Sequence, residues 1–235
     1  MKRTAAKTAL SLLMLCFAAA FMLPLLWMLS SSLKTPAQVF ESPFRWITDS
    51  LRFSNYAEVW TNPDLPYWKM IVNSLLIALG SVVGQLLISS LAAYAFAKIP
   101  FAGKSFIFML MLTTMMIPVQ ALIIPRFMLY HKLNLYDTLW CVIFPNFFNV
   151  TSIFLLRQFY MGLPNEMVEA ALIDGAGHWR IWSEVMMPLT KNGLISAAIL
   201  AFIGAWNEYL SPLIFLPSSE NYTIALGIRW YLNDT

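Results

Sequence analysis

The chain has 235 residues, of which 59% are hydrophobic and only 11% are charged. Soluble domains carry roughly 25% charged residues, so this composition excludes an ordinary soluble domain and indicates a polytopic membrane protein. The net charge is only +3, and the two histidines lack the spacing of metal ligands. We therefore expect membrane lipid around the chain, no metal site and no nucleic-acid partner.

The first apolar segment follows a short basic N-terminus. Such a start is also typical of a secretory signal peptide, with Ala18–Ala20 as its cleavage site. The apolar run continues through Leu29, however, and about 20 apolar residues are enough to cross a bilayer. We expect an uncleaved span over residues 9–31 with its N-terminus in the cytoplasm, because basic residues favour that side.

The second apolar segment follows a polar, aromatic-rich stretch over residues 34–69, which suits an extracytoplasmic loop at the membrane interface. Residues 70–97 are uncharged and predict the second span. Gly80 and Gly84 begin a series of small residues within it. Small residues on one helix face let a neighbouring helix approach closely in a membrane, so this face is expected to be a packing surface.

Proline interrupts the next two apolar segments. The third span is expected over 105–123, with Pro118 near its far end, and the fourth over 138–156. Pro145 and Asn146 in the middle of the fourth predict a kinked or broken helix. Such breaks are tolerated where the backbone faces protein or a water-filled cavity, so these two residues are candidates for the wall of a translocation path.

The fifth span is expected over 193–215 and contains Asn207 and Glu208. A carboxylate at the centre of a membrane helix costs about 2.5–3.5 kcal/mol, so Glu208 needs water or a partner. Two interpretations stay open: the pair lines a pathway or outer gate, or Glu208 pairs with a neighbouring helix. The more polar residues 216–235 are expected to form an outer loop.

Residues 157–192, between the fourth and fifth spans, form a polar loop that is expected on the cytoplasmic side. The pattern predicts two short helices with a turn at Asp174-Gly175, because glycine adopts the left-handed conformation that ends a helix. The second helix is expected from His178 to Met187 and to end before Pro188.

This loop resembles the "EAA" loop of the permease subunits of ATP-binding-cassette importers. Glu169-Ala170-Ala171, Gly175 and Pro188 stand at the family's spacing, and the Ile-Asp-Gly-Ala extension is similar to the carbohydrate-uptake branch, the relatives of the smaller maltose permease. Weaker matches follow in the right order: Asn73-Ser74, Ala93–Ala97, Met116–Pro118, Leu155–Arg157 and Trp206–Glu208.

The resemblance implies an all-α bundle of transmembrane helices forming one permease domain over residues 1–235 of a bacterial cytoplasmic membrane. Its partners would be a second permease subunit, two ATPase subunits and an extracytoplasmic solute-binding protein. The chain would be no enzyme and hold no cofactor, since the ATPase subunits would bind ATP and magnesium. Family members usually have six spans and the sequence offers five, so we expect either a fragment or a truncated subunit.

The resemblance also implies roles for the loop residues, since in this family the loop is a coupling helix that docks in a groove of the ATPase. Ala170 and Ala171 would allow close approach, and Asp174 lies on the same helix face. Glu169 would pair with a basic residue of the ATPase. Gly175 would make the turn, and Pro188 would close the motif.

An ion-coupled secondary transporter is the alternative. Such a transporter needs ionisable residues inside the membrane, and only Glu208 qualifies. A membrane-embedded enzyme would need clustered His, Asp or Glu, and a purely structural subunit would not need the coupling motif. The sequence does not identify the transported sugar.

Overall fold

The computed structural model describes residues 2–43, 45–48, 50–63 and 66–233, and these residues form helices joined by turns and extended links. The chain divides into two compact units, residues 1–63 and residues 64–235, which are described separately. The single domain expected over residues 1–235 stays a prediction.

The first unit is dominated by a long apolar helix, α1 (Lys2–Ser32). Its residues Leu10–Ser32 are long and apolar enough to cross a membrane and overlap the first predicted span, which stays a prediction. Two short helices follow, α2 (Pro36–Val39) and α3 (Ser54–Thr61). The side-chain amide of Asn55 on α3 donates to the carbonyl groups of Ser32 and Lys34, each at 3.0 Å, and so fastens α3 to the end of α1.

The second unit is built around α4 (Tyr67–Lys98), a helix long and apolar enough to cross a membrane. It covers the second predicted span and extends slightly beyond it at both ends. A Cβ atom added to Gly84 would lie 2.0 Å from the ring of Phe147, and one added to Gly80 would lie 3.4 Å from Ile143. The small-residue face of α4 is therefore a close-packing surface, as predicted.

The third predicted span differs from the structure. Helix α5 (Lys104–Thr113) ends in a 3₁₀ turn at Met116, and a second helical stretch, which contains α6 (Ile123–Lys132), leaves at 92° to the first. Proline restricts the residue before it to extended conformations, and Ile117 has φ −77° and ψ 116°. The expected straight helix over 105–123 thus turns at Pro118.

The fourth predicted span contains the expected break. Helix α7 (Trp140–Asn146) ends one residue after Pro145, and α8 (Val150–Met161) begins after three intervening residues. The Oδ1 atom of Asn149 accepts a hydrogen bond of 2.9 Å from the backbone N–H of Ser152 and so caps α8. Residues Trp140–Met161 together are long and apolar enough to cross a membrane.

The loop and the fifth predicted span form a series of short helices: α9 (Glu166–Ile173), α10 (His178–Arg180), a π-helical segment (Ile181–Met186), α11 (Met187–Leu189), α12 (Lys191–Trp206) and α13 (Leu210–Phe215). The helical stretch His178–Leu189 meets α12 at an angle of 82°. The expected span over 193–215 is therefore interrupted after Trp206. At the break, the Asn207 side chain donates back to the carbonyl of Ile203 at 2.8 Å.

The residues expected to form an outer loop contain helix α14 (Ile224–Asn233). Leu226 is buried on it, and a Cβ atom added to Gly227 would lie 2.2 Å from the sulfur of Met70. This helix forms because its apolar residues recur at helical spacing and pack on the start of α4. Among the described residues, three helices are long and apolar enough to cross a membrane. The number rises to five if each of the two bent helix pairs is counted as one span.

A polar cluster around Asp137 joins the link before α7 to the segment before α14. The Asp137 carboxylate accepts hydrogen bonds from the backbone and hydroxyl groups of Ser218 and, at 3.0 Å, from the side chain of Asn221. Asp137 has φ 59°, a left-handed conformation that aspartate tolerates better than most residues. Partial burial raises the pKa of Asp137, but the hydrogen bonds from Ser218 and Asn221 outweigh burial and hold the pKa below its ordinary value.

This cluster predicts an acid-sensitive contribution to stability. Because the pKa of Asp137 is lower in the folded protein, its carboxylate stabilises the fold above the unfolded pKa, and this contribution is lost as the pH falls through the folded pKa. We expect Asp137→Asn to lower the thermal midpoint of the detergent-solubilised protein at neutral pH. The difference in thermal midpoint between the variant and wild type should shrink below pH 3.8. An equal difference at neutral pH and below pH 3.8 would contradict the role of the Asp137 carboxylate.

Candidate functional site

The turn after α9 is a complete helix-ending motif. The N–H of Gly175 donates to the carbonyl of Leu172 at 3.0 Å, and the N–H of Ala176 donates to that of Ala171 at 2.9 Å. These two bonds define a Schellman motif, which requires a left-handed residue between them. Gly175 has φ +80°, so the predicted turn is confirmed.

The predicted loop residues divide between solvent and core. Glu169, Ala170 and Asp174 are exposed, whereas Ala171 is half-buried and packs on the buried cluster below the loop. Val168 is buried and fixes α9 to that cluster. Most of the predicted docking face of α9 therefore points away from the core.

The second helix of the loop is longer than predicted. It continues through Pro188 to Leu189, because a π-helical segment precedes this proline and the proline stands in the first turn of α11, where its missing N–H is not needed. Ile181, Trp182 and Met186 on the π-helical segment are buried. Pro188 itself is exposed.

Large apolar side chains are exposed on this otherwise polar loop. Ile173, at the end of α9, is 86% exposed, and Trp179 on α10 is 68% exposed. The charged pair Arg180–Glu184, at 2.8 Å, is also on the surface, and Arg180 directly follows Trp179 in the chain. Exposed apolar groups with a polar rim are typical of protein interaction surfaces.

The underside of the loop contacts the last turn of α4. The ammonium group of Lys98 donates to the carbonyl of Leu163 and to the side-chain oxygen of Asn165, both at 2.6 Å. The hydroxyl of Tyr94 is 2.9 Å from Nδ1 of His178. Lys98 and Tyr94 thus contact the chain just before and just after α9.

A second candidate site is a cavity of about 360 Å³ between α4, the break of α7 and α8, and α12. Amide and hydroxyl groups, one carboxylate and several apolar residues line it. The lining residues are Gln85, Asn146, Asn149, Thr151, Ser152, Leu155, Leu200, Ala201, Gly204, Ala205 and Glu208.

Hydrogen bonds fix the polar groups of the cavity. The side chain of Gln85, only 4% exposed, donates to the hydroxyl of Ser152 at 2.5 Å. The side chain of Asn146 donates to the hydroxyl of Ser81 at 3.0 Å. These bonds satisfy polar groups that would otherwise be costly between apolar helices.

The carboxylate of Glu208 has a local partner. Its Oε1 atom accepts a hydrogen bond of 2.9 Å from the backbone N–H of Ser211, in the first turn of α13. A carboxylate at this end of a helix also interacts favourably with the helix dipole. The Glu208 side chain therefore binds a backbone group at the start of α13 and also lines the cavity.

Two of the four residues predicted for the pathway meet at the cavity. Asn146 and Glu208 line it, whereas Pro145 and Asn207 do not belong to its lining. Sequence reasoning did not assign Gln85, Asn149, Thr151 or Ser152 to the pathway. The polar run Asn149–Ser152 inside an apolar span was the signal that could have found most of them.

The cavity offers hydrogen-bonding chemistry. Among the residues that the structure describes, no three His, Cys, Asp or Glu side chains converge as metal ligands would. Amides and hydroxyls arranged around a partly apolar surface can hold a polar, uncharged molecule by hydrogen bonds and contact.

Comparison with known proteins extends these observations. Residues 85–235 match the family model described as binding-protein-dependent transport system inner membrane component. The diacetylchitobiose uptake system permease protein NgcG of Streptomyces coelicolor is 32% identical over 94% of this chain and 73% of its own length. The arabinooligosaccharides transport system permease protein AraQ of Halalkalibacterium halodurans is 35% identical over 93% of this chain and 78% of its own.

A third relative is the sn-glycerol-3-phosphate transport system permease protein UgpE of Yersinia pestis, 34% identical over 82% of this chain and 70% of its own. Among solved structures, a chain of a bacterial ABC transporter involved in the import of the acidic polysaccharide alginate matches with a TM-score of 0.80. The match has 26% identity and covers 95% of this chain and 77% of that one.

These likenesses agree with the helical membrane bundle and with the resemblance seen in the loop over residues 157–192. They give no support to the alternative of an ion-coupled secondary transporter. The chain is a permease subunit of an ATP-binding-cassette importer, and it belongs to the family of inner membrane components of binding-protein-dependent transport systems.

Proposed function

We propose that this permease subunit carries a sugar or sugar derivative across a bacterial cytoplasmic membrane by alternating access. A second permease subunit would complete the passage, and an extracytoplasmic binding protein would deliver the sugar. Two ATPase subunits, which bind ATP and magnesium, would drive the cycle from the cytoplasm. The printed substrates of the relatives, which include diacetylchitobiose and arabinooligosaccharides, support this substrate class.

The cavity is the observation that carries the proposal. Gln85, Asn149 and Ser152 contribute amide and hydroxyl groups to the lining, and Leu155 and Gly204 contribute apolar surface. Sugars offer the complementary pattern, since hydroxyl groups alternate with apolar C–H faces. A cavity of about 360 Å³ is within the range of small-molecule sites in proteins.

The coupling side of the proposal rests on the loop over residues 157–192. The exposed face with Glu169, Ala170 and Asp174 would lie in the ATPase groove, beside the exposed apolar side chains of Ile173 and Trp179. This requires the loop and the N-terminus to be cytoplasmic, as the basic start of α1 favours. An ATPase can bind the loop only from that side.

Substitutions at the cavity test the proposal. We expect Gln85→Leu and Thr151→Val to raise the KM for sugar uptake, because each removes hydrogen-bonding capacity from the lining. Loss of one hydrogen bond costs about 0.5–1.5 kcal/mol, which corresponds to a change in KM of roughly 2- to 13-fold. The measurement is uptake of a panel of labelled oligosaccharides into proteoliposomes that contain the whole complex.

The matched control is Gln120→Leu, since Gln120 is outside the cavity lining, in the 3₁₀ turn after Pro118. Its KM should stay at the wild-type value. The proposal is rejected if the wild-type complex takes up no sugar of the panel on addition of ATP, or if all three variants behave alike.

A further inference from the structure

The end of α4 below the coupling loop is held by cations. The last carbonyl groups of a helix lack partners within it, and positive charge is favoured there by the helix dipole. Here the Arg157 side chain donates to the carbonyl of Phe96 at 3.2 Å. The ammonium of Lys104 donates to the carbonyls of Ala97 and Ile99, at 3.2 and 3.1 Å. Arg157 and Lys104 therefore stabilise this helix end.

Lys98 is on the same helix end but has other partners. Its ammonium donates at 2.6 Å to the carbonyl of Leu163 and to the side chain of Asn165, and Asn165 directly precedes α9. An ammonium has three donors in a compact group, so one side chain can hold two acceptors at once. Lys98 thus joins the last residue of α4 to the entrance of α9.

The exit of α9 is joined to α4 as well. Tyr94 stands one turn before Lys98, and its hydroxyl is 2.9 Å from the ring of His178, which begins α10. Tyr94 is buried and packs edge-on against Tyr160, with ring centroids 6.3 Å apart. Helix α9 is therefore linked to the last turn of α4 on both of its sides.

The same helix reaches the cavity. Gln85 and Lys98 belong to the uninterrupted helix α4, and a helix rises 1.5 Å per residue, so about 20 Å of helix separates them. A displacement of α9 that pulls on Lys98 would move the wall of the cavity through this helix. No other element of the described chain is needed for that link.

We propose that Lys98 is the positioning residue that transmits the movement of the coupling helix α9 to α4 and so to the transport cavity. The inference rests on the proposed function, since it needs an ATPase that moves α9. Lys98 contacts neither sugar nor nucleotide in this role. It acts through Leu163 and Asn165, and it sets how much sugar moves for each ATP hydrolysed.

The test uses the complete transporter in proteoliposomes and three variants: Lys98→Met, Lys98→Arg and Lys104→Met. The quantity measured is the ratio of sugar imported to ATP hydrolysed, together with retention of the ATPase on purification. Coupling between sites in proteins is commonly worth 5- to 150-fold, and we expect Lys98→Met to lower the ratio about tenfold with the ATPase retained. Lys98→Arg should restore most of it, because arginine can also donate to both acceptors.

Lys104→Met is the matched control, because Lys104 also donates to two acceptors at the end of α4, Ala97 and Ile99, but neither belongs to the loop that carries α9. Its ratio should stay near wild type. An unchanged ratio in Lys98→Met, or an equal fall in both methionine variants, would show that Lys98 only stabilises the helix end and would overturn the proposal.

Hydrogen exchange separates this inference from the proposed function. In the detergent-solubilised chain, Lys98→Met should speed amide exchange over residues 163–169, and Lys104→Met should not. Unchanged exchange in Lys98→Met overturns the inference even if the wild-type complex transports sugar. Absence of ATP-dependent uptake by the wild type, with faster exchange in Lys98→Met, would instead reject the proposed function and leave the link between Lys98 and α9 established.

Discussion

Replacing Gly175 by valine should uncouple transport while the protein still enters the membrane. The backbone at Gly175 has φ +80°, where an L-residue pays about 1–2 kcal/mol and a β-branched residue pays more. A free-energy difference of about 1.4 kcal/mol changes a population tenfold. The turn that presents α9 should therefore be about tenfold less populated in the valine variant than in wild type. ATP-dependent uptake by the reconstituted complex should fall accordingly, and membrane content should match wild type by quantitative blotting.

Gly177→Val is the matched control for this experiment. Gly175 and Gly177 both have open space where a Cβ atom would stand, so neither substitution meets a steric obstacle. Gly177 differs in its backbone, with φ −73°, which any L-residue adopts. Uptake should therefore survive Gly177→Val, and Gly175→Asn should be intermediate because asparagine tolerates the left-handed region. Equal uptake by Gly175→Val and wild type would reject the role of the turn.

The contrast between these two glycines shows what the sequence could predict. Asp174-Gly175 follows an apolar helical stretch, and such a local pattern specifies its own helix end through the backbone bonds of the next two residues. The break after Asn146 is equally local, because proline removes a donor inside the helix that contains it. Both predictions were confirmed, since nothing outside a few residues decides them.

The bends and the cavity depend on contacts that no local pattern encodes. Pro118 marked an end of the third span and accounts for a break there, but no local pattern gives the 92° angle at which the next helical stretch leaves. Gln85 and Ser152 are far apart in the chain and meet only because the small-residue face of α4 receives the break between α7 and α8. In the sequence, Gln85 was simply an unfavourable residue within an apolar span.

Glu208 illustrates a prediction that was too narrow. Its open interpretations were a pathway residue or a partner for another helix. The structure gives it a backbone partner within its own segment, at Ser211, and also a position in the cavity lining. Helix ends inside a membrane need such partners, because unsatisfied backbone groups are costly there.

The close approach at Gly84 should make that position the least tolerant of the small-residue face of α4. A Cβ atom there would lie 2.0 Å from a ring carbon of Phe147, well inside any contact distance, so Gly84→Ala must displace this ring. Overpacking of this kind typically costs about 1–3 kcal/mol. The thermal midpoint of the detergent-solubilised protein should fall clearly below that of wild type. It is measured as the temperature at which the monodisperse peak in size-exclusion chromatography is half lost.

Gly80→Ala is the control one turn earlier on the same helix, where the added Cβ would lie at 3.4 Å from Ile143, an ordinary contact distance. It should change the midpoint little. In the double variant Gly84→Ala with Phe147→Ala, the ring is absent, and the destabilisation should be smaller than the sum of the two single effects. Strict additivity would show that Gly84 and Phe147 do not meet, and would place the packing surface of α4 elsewhere. A sub-additive result would establish that α4 and the break between α7 and α8 are joined at Gly84 and Phe147, which are next in the chain to the cavity residues Gln85 and Asn146.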